Sequence, residues 1–276
     1  MVIAIQGGRA SFHEVAAREF FSPSISTIEC PTFKDLMINL ENGKADFAMM
    51  AIENTIAGSI LGNYTLLQDF GFPVIGEIRL RIVMCLMALK GSKIEDIHTV
   101  KSHYMALLQC GEFLQQHPHI KVEEFHDTAD AAKHISQNQI LGQAAIAGKL
   151  AAEHYDLDVL ASGIETFKMN YTRFLVLSKN KNQMVENPNK ASLSFVLYNE
   201  PGSLSKVLNV FHTHEVNLTK IQSIPLLGSL DEYTFYVDCD WQNIEHFEKS
   251  VNKIKDMVNR IQILGKYQKG RVVETF

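Results

Sequence analysis

Cysteine, proline and tryptophan are scarce, with 4, 7 and 1 of them among 276 residues. Cys30, Cys85, Cys110 and Cys239 stand far apart, with no Cys-x-x-Cys spacing. This argues for reduced, packed thiols and against a disulfide framework, structural zinc or redox chemistry. Long apolar runs are missing too. The longest strongly apolar stretch, Ile82 to Leu89, falls far short of the roughly 20 residues that a membrane-spanning helix requires, so no transmembrane segment is expected. Met1 leads directly into Val2-Ile3-Ala4-Ile5. With no basic region and no small-residue cleavage site there, neither a signal nor a transit peptide is expected, and the cytosol is the expected location. No segment concentrates basic residues: 26 Lys+Arg against 31 Asp+Glu leave a formal charge of -5, so nucleic acid is not an expected partner. What is present is 46% apolar and 21% charged residues, which is ordinary for a globular chain with a usable core. At roughly 150 residues per domain, the length suggests about two.

Short apolar runs alternate with amphipathic helical patterns from the N-terminus: Val2 to Gln6, a helix near Phe12 to Phe21, Ile25 to Cys30, a helix near Phe33 to Asn42, then Ala45 to Ile52. That rhythm predicts an α/β fold with a largely parallel sheet. It continues to about residue 180, with helices near Tyr104 to Gln116, Ala129 to Gln137 and Lys149 to Asp156, and strands at Ile97 to Val100, Val122 to Phe125 and Ala144 to Ala147. The β-rich stretch Pro73 to Ala88 predicts a strand that crosses to a second lobe, and Arg173 to Leu177 one that returns. Two lobes around a cleft are therefore expected in residues 1–182, one of about 1–75 plus 166–182 and the other of about 76–165. The polar stretch 183–190, broken by Pro188, reads as a linker. Residues 191–276 then give strand Ser192 to Tyr198, helix Ser203 to Thr213, strands Leu218 to Pro225 and Tyr233 to Cys239, helix Ile244 to Val258 and strand Ile261 to Tyr267. This βαββαβ order is the ferredoxin-like arrangement.

Polar side chains gather at several strand-to-helix junctions. Ser11, Ser102 and Asp127-Thr128 each precede a helical pattern and suit an N-cap. In a doubly wound sheet such turns lie at the carboxyl ends of strands, where N–H groups and the helix dipole favour a small anion. The plain alternative is a cap that binds nothing. Glu53-Asn54-Thr55-Ile56-Ala57-Gly58 ends an apolar strand with a carboxylate, an amide and a hydroxyl, and Asn170-Tyr171-Thr172-Arg173-Phe174 begins another. Arg173 suits bidentate binding of a carboxylate, or else an ion pair within the fold. His117-Pro118-His119 and His212-Thr213-His214 lack further ligands at metal spacing. Gly7-Gly8 lacks the remaining glycines of a dinucleotide or phosphate loop. Cys110 and His103 stand about two helical turns apart, so a packed thiol is expected rather than a nucleophile.

Taken in order, these segments resemble the prephenate dehydratase family. Gln6-Gly7-Gly8-Arg9-Ala10-Ser11-Phe12 is similar to its glycine-rich opening, and Glu53-Asn54-Thr55-Ile56-Ala57-Gly58 to its Glu-Asn-Ser-x-x-Gly motif. Ser102-His103-Tyr104-Met105-Ala106-Leu107-Leu108-Gln109-Cys110 resembles Ser-His-Pro-Gln-Ala-Leu-x-Gln-Cys. Thr128-Ala129-Asp130-Ala131-Ala132 resembles Thr-Ala-x-Ala-Ala, and Asn170-Tyr171-Thr172-Arg173-Phe174 resembles Asn-x-Thr-Arg-Phe. Pro201-Gly202-Ser203-Leu204 and Asn217 to Pro225 resemble the two signatures of the ACT regulatory domain. Departures are Thr55 for Ser, Tyr104-Met105 for Pro-Gln, Ala10 for a common glycine, and Gln222 and Ile224 where Glu and Arg are usual.

The resemblance implies a catalytic region similar to type II periplasmic binding proteins over residues 1–182 and an ACT domain over 191–276. It implies conversion of prephenate to phenylpyruvate without metal or organic cofactor. Thr172 would be the hydroxyl donor to the departing oxygen. Ser11, Glu53, Asn54, Thr55, Ser102, Gln109, Thr128, Asn170, Arg173 and Phe174 would contact substrate. L-phenylalanine would be an effector at Pro201, Gly202, Ser203, Leu204, Asn217, Leu218, Gln222 and Ser223, in a homodimer or homotetramer. Arogenate is the alternative substrate, and a non-catalytic amino-acid or solute sensor the alternative of a different class.

Overall fold

A computed structural model describes residues 1–226, 228–229 and 231–274; the last two residues of the expected 191–276 region lie outside the described ones. Ile3, Ala4 and Ile5 are fully buried within β1 (Val2–Gln6), as suits a strand covered on both faces. Ser11 caps α1 (Phe12–Phe20) by accepting from Glu14 N, and β2 (Ser26–Cys30) follows. A reciprocal Thr32–Asp35 capping box starts α2 (Phe33–Glu41), which leads to β3 (Phe47–Asn54). Next come β4 (Gly58–Ser59), α3 (Leu61–Phe70), β5 (Val74–Arg81) and β6 (Cys85–Leu89). The middle of the chain forms β7 (Thr99–Ser102), α4 (Tyr104–Gln109), α5 (Gly111–Gln115), β8 (Lys121–Glu124), α6 (Thr128–Gln137), β9 (Gln143–Ala147), α7 (Lys149–His154) and β10 (Leu157–Ser162). β11 (Tyr171–Ser178) returns the chain, and no helix or strand occupies 179–189. The remainder is β12 (Lys190–Tyr198), α8 (Ser203–Thr213), β13 (Asn217–Pro225), β14 (Glu232–Asp240), α9 (Ile244–Lys255), β15 (Arg260–Tyr267) and β16 (Val272–Val273).

Among the described residues these strands form three sheets. The first has the order β16-β5-β11-β3-β1-β2, with β4 on β3; the second is β10-β6-β9-β7-β8 and the third β13-β14-β12-β15. β1 is parallel to β2 and β3, and β7 is parallel to β8 and β9, whereas β6 is antiparallel to β9 and β10. The third sheet is antiparallel where β12 meets β14 and β15 and where β13 meets β14.

By packing, the chain falls into two units, Met1–Gly58 with Ile78–Phe174 and Val272–Phe276, and Ser59–Glu77 with Leu175–Arg271. Residues 59–77 and 175–182, expected with the N-terminal region, group instead with the third sheet. Side chains explain it. Within this second unit Glu77 receives the Lys190 ammonium at 2.8 and 2.9 Å, Tyr236 donates to Gln68 at 2.6 Å, and Lys220 donates to Ser59 at 2.9 Å. Its core collects Leu193, Phe195, Phe211, Trp241, Phe247 and Val251, with the Trp241 and Phe247 rings stacked at 4.3 Å. In the first unit, small residues dominate around α6: Ala129, Ala131, Ala132, Ala145 and Ala147 pack with Cys85 and Met87. The single helix expected over Tyr104 to Gln116 is two, because the backbone leaves helical geometry at Cys110.

Candidate functional site

β3 ends at Asn54, and the direction of that amide is fixed on both sides. Its Oδ1 accepts the N–H groups of Ile56 and Ala57, both at 2.9 Å, a side-chain-closed turn for which asparagine is well suited. The amide nitrogen therefore faces the start of β11. Nδ2 donates to Asn170 Oδ1 at 2.7 Å, to the Tyr171 carbonyl at 3.2 Å and to Thr172 Oγ1 at 3.0 Å. Thr172 receives this bond through its oxygen, which leaves its own proton for another acceptor. Among the described residues none takes it.

Neighbouring side chains stitch the same strand ends together. Thr55 Oγ1 donates to the Met169 carbonyl at 2.8 Å and accepts Tyr171 N–H at 3.0 Å. One threonine hydroxyl thus supplies both a donor and an acceptor here. Asn170 is fully buried and donates to Gln109 Oε1 at 3.0 Å, while its carbonyl accepts Ile82 N–H at 2.7 Å. A line of three amides, Asn54, Asn170 and Gln109, thus joins β3, the entry to β11 and the end of α4. Arg173 is 3% exposed and reaches Glu53 Oε1 at 3.3 Å, an ion pair inside the fold. Phe174 is buried with the His13 ring edge-on to it at 5.0 Å. Of the expected substrate contacts, then, Asn54, Thr55, Asn170, Arg173, Phe174, Glu53 and Gln109 cluster around Thr172, most of them with their polar groups already engaged.

The other expected contacts make different hydrogen bonds. Ser102 is fully buried and donates to the Ile146 carbonyl at 2.6 Å, so its hydroxyl faces the second sheet instead of capping the helix; His103 Nδ1 caps α4 by accepting Met105 N–H at 3.2 Å. At α6 the cap is Asp127, which accepts Asp130 N–H at 3.0 Å, and Thr128 is the first helical residue. The Asp127 turn meets the turn carrying Ser11. A Cβ on Gly7 would stand 2.8 Å from an Asp127 carboxylate oxygen, and one on Gly8 only 2.6 Å from Asp130. Gly7 also takes φ +86°, a backbone region that favours glycine. Burial raises the Asp127 carboxyl above the usual carboxylate range, the nearby Asp130 charge adding to it against opposing backbone hydrogen bonds. Ala10, at the family's common glycine position, has φ +63°, which costs a residue with a Cβ roughly 1–2 kcal/mol. A cavity of about 390 Å3 beside these turns is lined by Glu29, Asp127 and Asp130 against His126 and Lys133. Its acidic balance disfavours a dianion. Cys110 is buried, which pushes its thiol up to about 12 and keeps it protonated.

In the second unit, Gly202 precedes α8 with φ +83°, Ser203 donates to the Tyr198 carbonyl at 3.1 Å, and Pro201 is exposed. Leu204 and Leu218 pack on the apolar core. Asn217 donates to Asp240 at 2.9 Å, and Gln222 to the Ser223 carbonyl at 3.0 Å, along the edge strand β13.

Residues 3–182 match the family model described as prephenate dehydratase. The chain belongs to the prephenate dehydratase family. With that membership comes the reaction class, a hydro-lyase acting on a carbon–oxygen bond. A bifunctional chorismate mutase/prephenate dehydratase of Aquifex aeolicus is 35% identical over 276 residues, 99% of this chain and 75% of the relative. Arogenate dehydratase 2 of Petunia hybrida is 36% identical over 96% of this chain and 71% of its own. Among solved structures, prephenate dehydratase from Arthrobacter aurescens in complex with L-Phe superposes with a TM-score of 0.88 at 25% identity, covering 98% of this chain and 90% of that one. A protein titled GqqA, a novel type of quorum quenching acylases, gives a TM-score of 0.88 at 28% identity and 98% coverage of both chains. Two features of the site escape sequence reasoning, the direction of the Asn54 amide and the Asn170–Gln109 tie. The turn chemistry of Asn-Thr-Ile-Ala-Gly was the available signal for the first.

Proposed function

We propose that this protein converts prephenate to phenylpyruvate, with Thr172 donating a hydrogen bond to the departing hydroxyl. In that step the ring C–O bond breaks with its electron pair on the oxygen, and the hydroxide, hydrogen-bonded to Thr172 as it forms, takes a proton from solvent to become water. The bond to the ring carboxylate breaks as carbon dioxide departs, and its electron pair enters the ring, which becomes aromatic. Aromatisation supplies the driving force, so the protein has mainly to stabilise the oxygen as it gains charge. The observation that carries the reading is the Asn54 Nδ2 bond to Thr172 Oγ1. It turns the hydroxyl into a donor toward the substrate while polarising it from behind. A threonine hydroxyl is a weak acid, so donation and preorganised electrostatics contribute more than full proton transfer. The buried Arg173 adds positive potential for a doubly negative substrate, reduced by Glu53.

Phenylpyruvate formation from prephenate tests this directly. Thr172→Ala is expected to lower kcat by at least about tenfold in a folded protein, and Thr172→Ser to recover much of the rate. Normal turnover by a folded Thr172→Ala variant would remove Thr172 from its role. The Petunia relative's name supports a second reading, arogenate as substrate, and the ratio of kcat/KM for the two compounds decides between them.

Residues 1–182 are read as the catalytic region and 191–276 as an ACT regulatory domain, a reading supported by the β-α-β-β-α-β order of β12 to β15. L-phenylalanine is the proposed inhibitor, at the turn 201–204 and along β13; the L-Phe complex of the Arthrobacter protein supports it. Among the described residues β13 lies at one edge of its sheet, and edge-to-edge pairing there is the proposed route to a homodimer or homotetramer.

A further inference from the structure

The chain continues past β15 and returns along β5. Gly270 donates its N–H to Glu77 Oε1 at 3.1 Å, and a Cβ at this glycine would stand 2.0 Å from the Glu77 carbonyl oxygen. Only a residue without a side chain lets the backbone pass so close. β16 then adds to β5 in parallel, Val272 opposite Arg79 and Val273 opposite Leu80. Glu274 follows, its Oε2 receiving Arg81 Nη1 at 3.2 Å and its Oε1 receiving the Tyr171 hydroxyl at 2.7 Å. β5 leads the chain toward the second sheet and β11, which opens at Tyr171, leads it back. One carboxylate spans both strands beside Thr172.

Tyr171 is held on its backbone by Thr55, through bonds of 3.0 Å from its N–H and 2.9 Å to its carbonyl. Its phenol is the remaining handle. Successive side chains of a strand point to opposite faces, so fixing the Tyr171 ring on one face sets the rotation of β11 about its axis, and with it the aim of the Thr172 hydroxyl on the other. A phenol–carboxylate bond is charge-assisted and directional. Glu274 and Arg81 are partly exposed, so the cluster adds little to global stability, whereas small displacements of a reacting group are costly in rate.

We propose that Glu274 is a positioning residue for the dehydration, acting through Tyr171 to aim the Thr172 hydroxyl; this rests on the role given to Thr172 above. The full chain is assayed for phenylpyruvate formation as wild type, Glu274→Ala, Glu274→Gln, Tyr171→Phe and the Tyr171→Phe/Glu274→Ala double variant. Each of Glu274→Ala and Tyr171→Phe is expected to lower kcat about three- to tenfold with KM within about twofold. The double variant should be no slower than the slower single one, and Glu274→Gln, which keeps an acceptor for the phenol, should recover most of the rate. Unchanged kcat in both single variants would overturn the proposal, as would multiplicative losses in the double variant or losses that simply track a fall in Tm. Hydrogen exchange of the segment 170–174 gives a readout independent of substrate. Faster exchange in Glu274→Ala and Tyr171→Phe supports the positioning role even if prephenate proves not to be the substrate, and unchanged exchange counts against it.

Discussion

His13 lies in α1 with its ring edge-on to Phe174 and tilted against Phe33 at 5.5 Å, and its Nε2 is buried without a hydrogen-bond partner among the described residues. Burial pushes this imidazole down to about 3, so the folded protein keeps it neutral. An unfolded chain protonates it near pH 6.5. Below that pH the unfolded state binds a proton that the native state refuses, so the stabilisation is whole above about 6.5 and is lost as pH falls toward 3. Between pH 6.5 and 5 the loss amounts to about 2 kcal/mol, at about 1.4 kcal/mol per pH unit. Urea unfolding at pH 7 and pH 5 checks it: His13→Leu should lose about 2 kcal/mol less than wild type, and equal losses would exclude His13 as the cause. Nothing in the sequence around His13 announces this environment, because Phe33 and Phe174 reach it only in the folded chain. Asn54 and Thr172 teach the same lesson at 118 residues' separation; residue type and motif nominate both, but only the fold supplies the bond. Ala10 goes the other way, since the glycine common in its family already hints at the left-handed backbone observed.

Lys190 opens β12 with its ammonium buried against Glu77 of β5, whose carboxylate also holds Gly270 N–H. Removing one member of such a pair leaves the other charge in a poor solvent. Lys190→Met should therefore cost about 3–5 kcal/mol in denaturant unfolding, with Glu77→Gln added in the same chain recovering part of it. A loss below about 1 kcal/mol would mean that water or another cation reaches the carboxylate. Elements with clear ends and one apolar face were legible beforehand: the helix read at Ser203 to Thr213 is α8 residue for residue, and the one read at Ala129 to Gln137 gains only Thr128. α3 was not, since it lacks a side-chain N-cap and buries only Asn63, Tyr64 and Leu67 of ten residues. β16 is two residues long and exists through its register with β5, which no local pattern encodes.

Across the molecule, the proposed effector response differs from that of a typical family member in a readable way. Gln222 and Ile224 stand where the family resemblance expects Glu and Arg, so at the proposed effector site the amides of Asn217 and Gln222 would meet a phenylalanine head group largely by neutral hydrogen bonds. Calorimetry should detect L-phenylalanine at millimolar concentration or below, with Asn217→Ala weakening it about tenfold, the worth of one good hydrogen bond. No heat at millimolar L-phenylalanine would leave the third sheet as an assembly module. The division of the chain carries a further consequence. α3 and the first half of β5 group with the C-terminal sheet, where Glu77 of β5 holds Lys190. A chimera that imports a relative's C-terminal half at the 183–190 junction would therefore separate Glu77 from the cation it evolved beside. Transplants between family members should carry residues 59–77 along with the graft, even though they lie far upstream of the obvious splice point.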